Sequence, residues 1–483
     1  MRVARLAWIA GLLLTACTVG PDFQPPDPGA PGGWGPERAD VRSRTTSGEA
    51  DPQWWTQFHD PELSSLAGRV AAQNLDLQTA AERVLQSRAQ RAVVASQGLP
   101  QINERSSYER TRISPTGNPA AIVVAKPGAP LEFDVFQNGL SSSWDLDLFG
   151  RVRRGVEAAT ADTQAAIEDR RGVALAALAD LAQNYLQLRG VQAQRAIAEH
   201  NQDLARQNTA LVRNRFDNGV ATTLDMARAR AQESTIAATV SPLRTQEAAA
   251  INAIGLLLGE TPRALEAELK PRAAQPDVPA LVPVGLPATL VRRRPDLRQA
   301  EARLHSATAQ TGVAEAEFYP DVTLNGSVEL QSLRLRDAFS LYSRAFDLGP
   351  SVSLPIFQGG RLRGTLRLRE SQQREAAITF RRTLLQAWQE VDNALTAFAE
   401  AQARERQVAD AVAQNDTALR AARQRYAEGV VDFLDVNTAQ AQLLQSQTDL
   451  ASSRTEIATG LVTLYRALGG GWEVAEAAGP SGP

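Results

Sequence analysis

One cysteine and three histidines leave this chain little with which to catalyse a reaction. His59, His200 and His305 are scattered, and no carboxylate–histidine cluster or second cysteine offers the ligands of a zinc site. Gly469-Gly470-Gly471 lacks the lysine of a phosphate-binding loop and precedes a tail, so it reads as a helix terminator. The chain thus reads as a non-enzyme without a cofactor. Two sets of residues keep chemical interest. Cys17, the only thiol, cannot form an internal disulfide and is open to modification instead. Arginine, glycine and aspartate recur together at two places: Arg215, Gly219, Val220 and Asp225, then Arg425, Gly429, Val430, Asp432 and Asp435. Glycine there suits a left-handed helix stop. An acid just beyond it suits the start of the next helix, where free N–H groups and the helix dipole favour a carboxylate. Glu390 and Asp392, inside a helical stretch, read as part of a solvated face.

The elements that must position these residues are duplicated. Arg215-Phe216-Asp217-Asn218-Gly219-Val220-Ala221-Thr222-Thr223-Leu224-Asp225 recurs as Arg425-Tyr426-Ala427-Glu428-Gly429-Val430-Val431-Asp432-Phe433-Leu434-Asp435. Upstream, Asp76-Leu77, Ala80, Arg83 and Pro100 match Asp296-Leu297, Ala300, Arg303 and Pro320. The period is too long for a solenoid and points to two copies of one helix–strand–strand–helix unit. The first copy covers 53–262, with a strand pair at about 100–149 and a helical hairpin at 155–258. The second covers 288–471, with strands at about 320–357 and a hairpin at 362–468. A Pro-rich linker, 263–287, joins them, and a tail follows at 472–483.

Both ends of the chain narrow the class. Arg2 and Arg5, then the apolar run Leu6–Leu14, make a leader over 1–16 that is too short to span a bilayer. It ends in Leu14-Thr15-Ala16-Cys17, a pattern that resembles a bacterial lipoprotein signal. In such signals cleavage leaves the cysteine first, and acyl chains anchor it to lipid. A plain signal peptide with an incidental cysteine is the alternative. Residues 17–52, rich in Pro and Gly, read as an extended tether. Structure begins at Trp54-Trp55, Phe58 and Asp60-Pro61, where Asp60 suits a helix cap and Pro61 the first helical position, and the helix runs to about Gln97. The net charge of −3 and an almost wholly arginine-based positive charge form no basic stripe for nucleic acid.

Strands and rods complete the pattern. Val322, Leu324, Gly326, Val328 and Leu330 alternate with polar neighbours, as do Phe346, Leu348, Pro350, Val352, Leu354 and Ile356, and Leu140, Ser142, Trp144, Leu146 and Leu148. The partner near Ile102–Arg112 carries the weakest signal. Alternation of this kind fits membrane barrel strands. A soluble half-buried sheet has the same alternation, so the strands alone leave both readings open. Each strand pair feeds a proline-free stretch of ~60 residues, about 90 Å of rod at 1.5 Å per residue. Leu384, Trp388, Val391, Leu395 and Phe398 follow coiled-coil spacing, and Ile197, Leu204 and Leu211 keep a heptad in the other rod. Four strands cannot close a barrel, and an open sheet at membrane depth leaves backbone unpaired, so other copies must complete it.

At this point the chain resembles outer-membrane efflux channels of the TolC family, in the lipoprotein branch of OprM and NodT type. The resemblance rests on Cys17-Thr18-Val19-Gly20-Pro21-Asp22-Phe23 with Pro26, on Trp54-Trp55 with Phe58, and on Gly285-Leu286-Pro287 with Arg293-Arg294-Pro295-Asp296-Leu297. Phe318-Tyr319-Pro320, Leu354-Pro355-Ile356-Phe357 with Gly359-Gly360-Arg361-Leu362-Arg363, and both Arg-Phe/Tyr-x-x-Gly turns extend it over almost the whole mature chain. It implies an α+β membrane protein: a homotrimer whose four strands per protomer close a 12-strand β-barrel, continued by an α-helical barrel of antiparallel coiled coils. It implies a lipid-anchored conduit in the outer membrane reaching into the periplasm. The partners implied are a periplasmic adaptor and an inner-membrane transporter, often of the resistance-nodulation-division class. Both turns then lie at the periplasmic mouth. Asp432 and Asp435, with Asp225 as counterpart, would form an acidic ring favouring cations and blocking leakage. The family's second gate carboxylate falls here on Thr438. Arg215, Gly219, Val220, Arg425, Gly429 and Val430 are candidates for meeting the adaptor. Two other duties remain open: a type I secretion duct for polypeptides, and a lipid-anchored periplasmic scaffold without a pore.

Overall fold

The computed structural model describes residues 18–35, 41–46, 48, 51–114 and 131–477. In chain order these form β1 (Arg44–Thr46), α1 (Pro61–Gln73), α2 (Leu75–Ser96), β2 (Gln101–Arg112) and β3 (Glu132–Asp145). Then come α3 (Arg151–Asp217), α4 (Thr223–Leu257), β4 (Leu281–Pro283) and α5 (Pro295–Ala316). β5 (Asp321–Ser332), β6 (Arg344–Ser353), α6 (Arg361–Ala427) and α7 (Phe433–Leu468) complete the order. The chain divides into two units: residues 1–26, 85–165 and 300–379, and residues 27–84, 166–299 and 380–483.

The first unit holds an antiparallel sheet in the order β2-β3-β5-β6. Register aligns one face across strands: Leu140 opposite Val328, Val328 opposite Phe346, Trp144 opposite Leu324. Leu140, Trp144, Val328, Phe346, Leu348 and Val352 are all exposed in the single chain. On the other face Ser143 pairs with Asn325, Ser141 with Ser327, and Ser327 with Asp347, whose carboxylate accepts the Ser327 hydroxyl bond. Water does not favour so much apolar area on one face, so the face is built for a lipid or protein cover. β2 is a full strand although its sequence signal is weak. Glu104 sits opposite Leu140, Ser106 and Arg110 face Asn138 and Asp134, and Tyr108 against Phe136 (ring centroids 5.0 Å apart) supplies its main apolar pairing. Among the described residues no helix is long and apolar enough to cross a membrane.

The second unit is built on a large apolar cluster. Trp54 is fully buried, stacks on Tyr465 at 5.3 Å and donates from Nε1 to the Gly470 carbonyl at 3.1 Å. Asp60 caps α1 by accepting from the Glu62 and Leu63 amides, with Pro61 at the first helical position as expected. Its other oxygen accepts the Tyr185 hydroxyl at 2.7 Å, and burial pushes that phenol's pKa up. Leu384, Val391 and Phe398 of the expected seam are buried, with Trp388 and Leu395 half-buried beside them.

Three expectations need correction. The helix expected from Pro61 to about Gln97 is broken at Asn74, which is extended (ψ 127°). Its side chain explains the break: Oδ1 accepts from the Leu77 amide and starts α2, while Nδ2 donates to the Leu257 carbonyl. The heptad Ile197, Leu204 and Leu211 is only half-buried. The buried line of α3 is Ala198, Asn201, Ala205, Asn208 and Val212, because small residues and amides admit α7 more closely than leucine does. There Asn201 donates to Gln447 at 2.8 Å and Asn208 to Gln440 at 2.7 Å, buried polar contacts that fix helix register. Finally, the segment read as a free tether contributes β1, which pairs in parallel with β4 from the region read as a linker. Trp34 donates to the Gly285 carbonyl, and the buried Ser43 amide donates to Gln402.

Candidate functional site: the paired helix turns

Both repeated glycines end their helices in the left-handed region, Gly219 at φ 74° and Gly429 at φ 78°. The amide of Val220 donates to the Arg215 carbonyl at 2.8 Å, and that of Val430 to the Arg425 carbonyl at 2.9 Å. These bonds, five residues back, close the last turn and satisfy carbonyls that the helix leaves free. The two turns share a small core of their own. Val212, Met226, Leu419, Tyr426, Phe433 and Val436 are buried together, with Tyr426 edge-on to Phe433 at 5.6 Å. Val220, Leu224, Val430 and Leu434 are left exposed around it.

The acids do different work in the two turns. Thr222 and Asp225 form a reciprocal cap: the Thr222 hydroxyl accepts from the Asp225 amide at 3.1 Å, and the Asp225 carboxylate accepts from the Thr222 amide at 3.0 Å. Those bonds, backbone first, hold the Asp225 carboxyl below the usual aspartate range. In the second turn Asp432 takes the cap position and accepts from the Leu434 amide at 2.9 Å. A second carboxylate cannot add a reciprocal bond beside it without like-charge repulsion. Asp435 is accordingly exposed and has no hydrogen-bond or ion-pair partner among the described residues. Thr438 is exposed and its hydroxyl donates to the Leu434 carbonyl.

The Asp225 geometry carries a pH prediction. Its folded-state pKa is depressed, so its stabilisation is complete above the ordinary aspartate range and fades as pH falls through the folded value. Asp225→Asn should cost about 1 kcal/mol at neutral pH and progressively less in acid. Amide hydrogen exchange at Thr222–Met226, compared at pH 7 and in acid, reads this; equal protection of variant and parent at neutral pH would refute it.

The two arginines also diverge. Arg215 is half-buried, crosses to the second turn and donates to the Tyr426 and Ala427 carbonyls. Its guanidinium lies 4.6 Å from the centre of the Tyr426 ring. A cation there offsets the negative end of α6 and stacks on an aromatic face. Arg425 is exposed and makes no such contact. Sequence reasoning missed the Tyr426 partnership; its only signal was the Phe216/Tyr426 difference between the two repeats. Cys17 lies outside the described residues. His305 makes one carboxylate contact, with Glu157 at 3.0 Å, and no metal-holding group of residues occurs among those described.

Comparison with known proteins follows the same line. A profile of the outer membrane efflux protein family matches residues 66–260 and 286–470. The toluene efflux pump outer membrane protein TtgF of Pseudomonas putida is 32% identical over 487 residues, covering 98% of this chain and 98% of the relative. Nodulation protein T of Rhizobium leguminosarum bv. viciae is 30% identical over 478 residues, covering 98% of this chain and 95% of the relative. Among solved structures, the outer-membrane channel OprN matches with a TM-score of 0.86 at 32% identity, over 95% of this chain and 100% of that one. An exposed apolar sheet face, long helical hairpins and a family match over most of the chain converge: this protein belongs to the outer membrane efflux protein family and serves an efflux pump as its outer-membrane channel.

Proposed function

We propose that three copies of the chain close a 12-strand barrel and a helical tunnel, forming a passive exit duct for small apolar toxic compounds and drugs. The observation that carries this reading is a four-stranded sheet whose outer strands, β2 and β6, each pair with one strand only among the described residues, while one face stays apolar and exposed. A barrel needs about eight strands or more, and membrane depth tolerates no open edge, so partner copies supply the rest. The internal two-fold repeat is supported by the same order of elements in both halves and by two separate matches to one family profile. The substrate class is supported by the toluene pump relative.

The same reading assigns acylation to Cys17 as the outer-membrane anchor, and adaptor contact to the exposed rims of both turns. Gly219, Val220, Arg425, Gly429 and Val430 would meet the adaptor, with Arg215 holding the two turns together behind them. An inner-membrane transporter, of the resistance-nodulation-division class by family analogy, would supply substrate through that adaptor. Asp435, exposed and unpaired, is the acid best situated to form the gate ring, with Asp432 beside it and Asp225 committed chiefly to its cap.

Single-channel recording in planar bilayers tests both levels. The purified trimer should conduct, and Asp435→Ala should raise conductance or open probability by removing one acidic group per copy from the mouth. An electrically silent parent protein would sink the duct; an unchanged Asp435→Ala current would sink the gate role alone.

A further inference from the structure

The first described residues of the chain are not free. Thr18–Phe23 lie in a slot of the first unit, between the turn that opens α3 and the side of α5. The Val19 amide donates to the Phe149 carbonyl at 3.2 Å. Arg154 reaches across: Nε donates to the Val19 carbonyl at 3.1 Å, and Nη2 to the Gly20 carbonyl at 3.1 Å and the Asp22 carboxylate at 2.7 Å. Its Nη1 donates to Glu157 at 2.8 Å, and Glu157 in turn meets His305, on which Phe23 stacks at 4.4 Å.

Two facts make this a built site and not a surface accident. The Arg154 side chain is only 5% exposed, and a guanidinium withdrawn from water is costly unless its donors are used. Most of the acceptors it uses belong to the N-terminal segment, so the segment is what completes the site. The slot is also cut to backbone width by glycines. Gly20 is left-handed at φ 93°, and a β-carbon there would lie 2.4 Å from the Gly312 Cα. A β-carbon on Gly312 would meet the Arg154 Nε at 3.0 Å, and one on Gly150 would meet the Thr18 methyl at 2.8 Å.

We propose that this slot is the receptor for the chain's own processed amino terminus, and that Arg154 is a positioning residue for the lipid anchor. It holds the residues that follow Cys17 at the corner where β3 gives way to α3, so the anchor is tied to the sheet instead of swinging on a tether. A sheet whose two edges are unpaired among the described residues gains from this, because tying it to the bilayer surface raises the effective concentration of edges that must meet. The proposal rests on the reading that Cys17 is acylated.

Acylation also supplies the test, since it blocks the only native thiol and leaves an introduced cysteine uniquely labelled. Gln24→Cys, exposed just beyond the slot, carries a nitroxide in the full-length membrane protein. The label should be immobilised in the otherwise native chain and mostly mobile in Arg154→Ala; Arg154→Lys, with one ammonium for four acceptors, should restore little. Gly20→Val, which leaves Arg154 and its Glu157 and His305 neighbours intact, should free the label equally and guards against misfolding of the arginine variant. In both disrupted variants the membrane-inserted oligomer should fall severalfold while the N-terminal peptide keeps its acyl mass. A label that is mobile in the native chain, or equally immobile in Arg154→Ala and Gly20→Val, overturns the proposal. An unmodified Cys17 by mass spectrometry overturns the anchor role; the label, read in a Cys17→Ser background, then reports on the slot by itself.

Discussion

Gly429→Trp is expected to abolish drug export by the assembled pump while most of the protein still reaches the outer membrane. The residue sits at φ 78° in open space, where the nearest atom to an added β-carbon is Arg215 Nη2 at 3.6 Å. A side chain at positive φ is strained by about 1–3 kcal/mol, a cost borne locally. The small core beneath, Tyr426 against Phe433 with Val436 and Met226, keeps every contact. What changes is the surface: a bulky ring projects from a rim of exposed Val430 and Leu434 that is proposed to receive the adaptor. Susceptibility of a complemented deletion strain, read beside an immunoblot of the membrane fraction, separates blocked docking from lost protein. Full resistance at normal abundance would exclude adaptor contact at this turn. Gly219→Trp offers the internal comparison, since Arg215 leaves that turn for the other one.

Trp54→Ala should be among the most destabilising single changes in the chain, at about 3–5 kcal/mol. The indole is fully buried, is stacked on Tyr465 and edge-on to Trp55, and its N–H satisfies the Gly470 carbonyl. Gly471, at φ 119°, approaches so closely that a β-carbon would lie 2.8 Å from the indole nitrogen. Collapse onto the cavity would have to move the end of α7, which Gly469 fixes in the left-handed region. Thermal unfolding in detergent should shift downward by roughly 3–8 °C, whereas Trp54→Phe, keeping a ring and losing the donor, should lose less. A shift of under about 2 °C for Trp54→Ala would mean that the cluster around it contributes little.

The distribution of legible and illegible features follows a physical boundary. Gly219, Gly429 and the Asp60-Pro61 start could be read directly, because a left-handed stop or a cap depends on a few adjacent residues. The apolar face of β5 and β6 could be read for the same reason: a strand's two faces follow from alternation alone. Asn74 could not, since nothing in its neighbourhood forbids helix. The bond to Leu257, 183 residues away, holds it extended. The α3 seam was misread by one position because leucines flank it, and only the approach of α7 selects alanine and asparagine for the interior.

Taken by itself, the sequence determined the elements: two rods, their glycine stops, and alternating strands too few to enclose a hole. Tertiary structure alone decided which of two equivalent arginines, Arg215, crosses between turns, and which of the matching acids, Asp435, is left unpaired. It alone decided that Arg154 grips a segment 135 residues earlier in the chain. Backbone preference is encoded within a turn or two of chain. The fate of a charged side chain depends on which surface arrives opposite it, and nothing nearby in sequence specifies that.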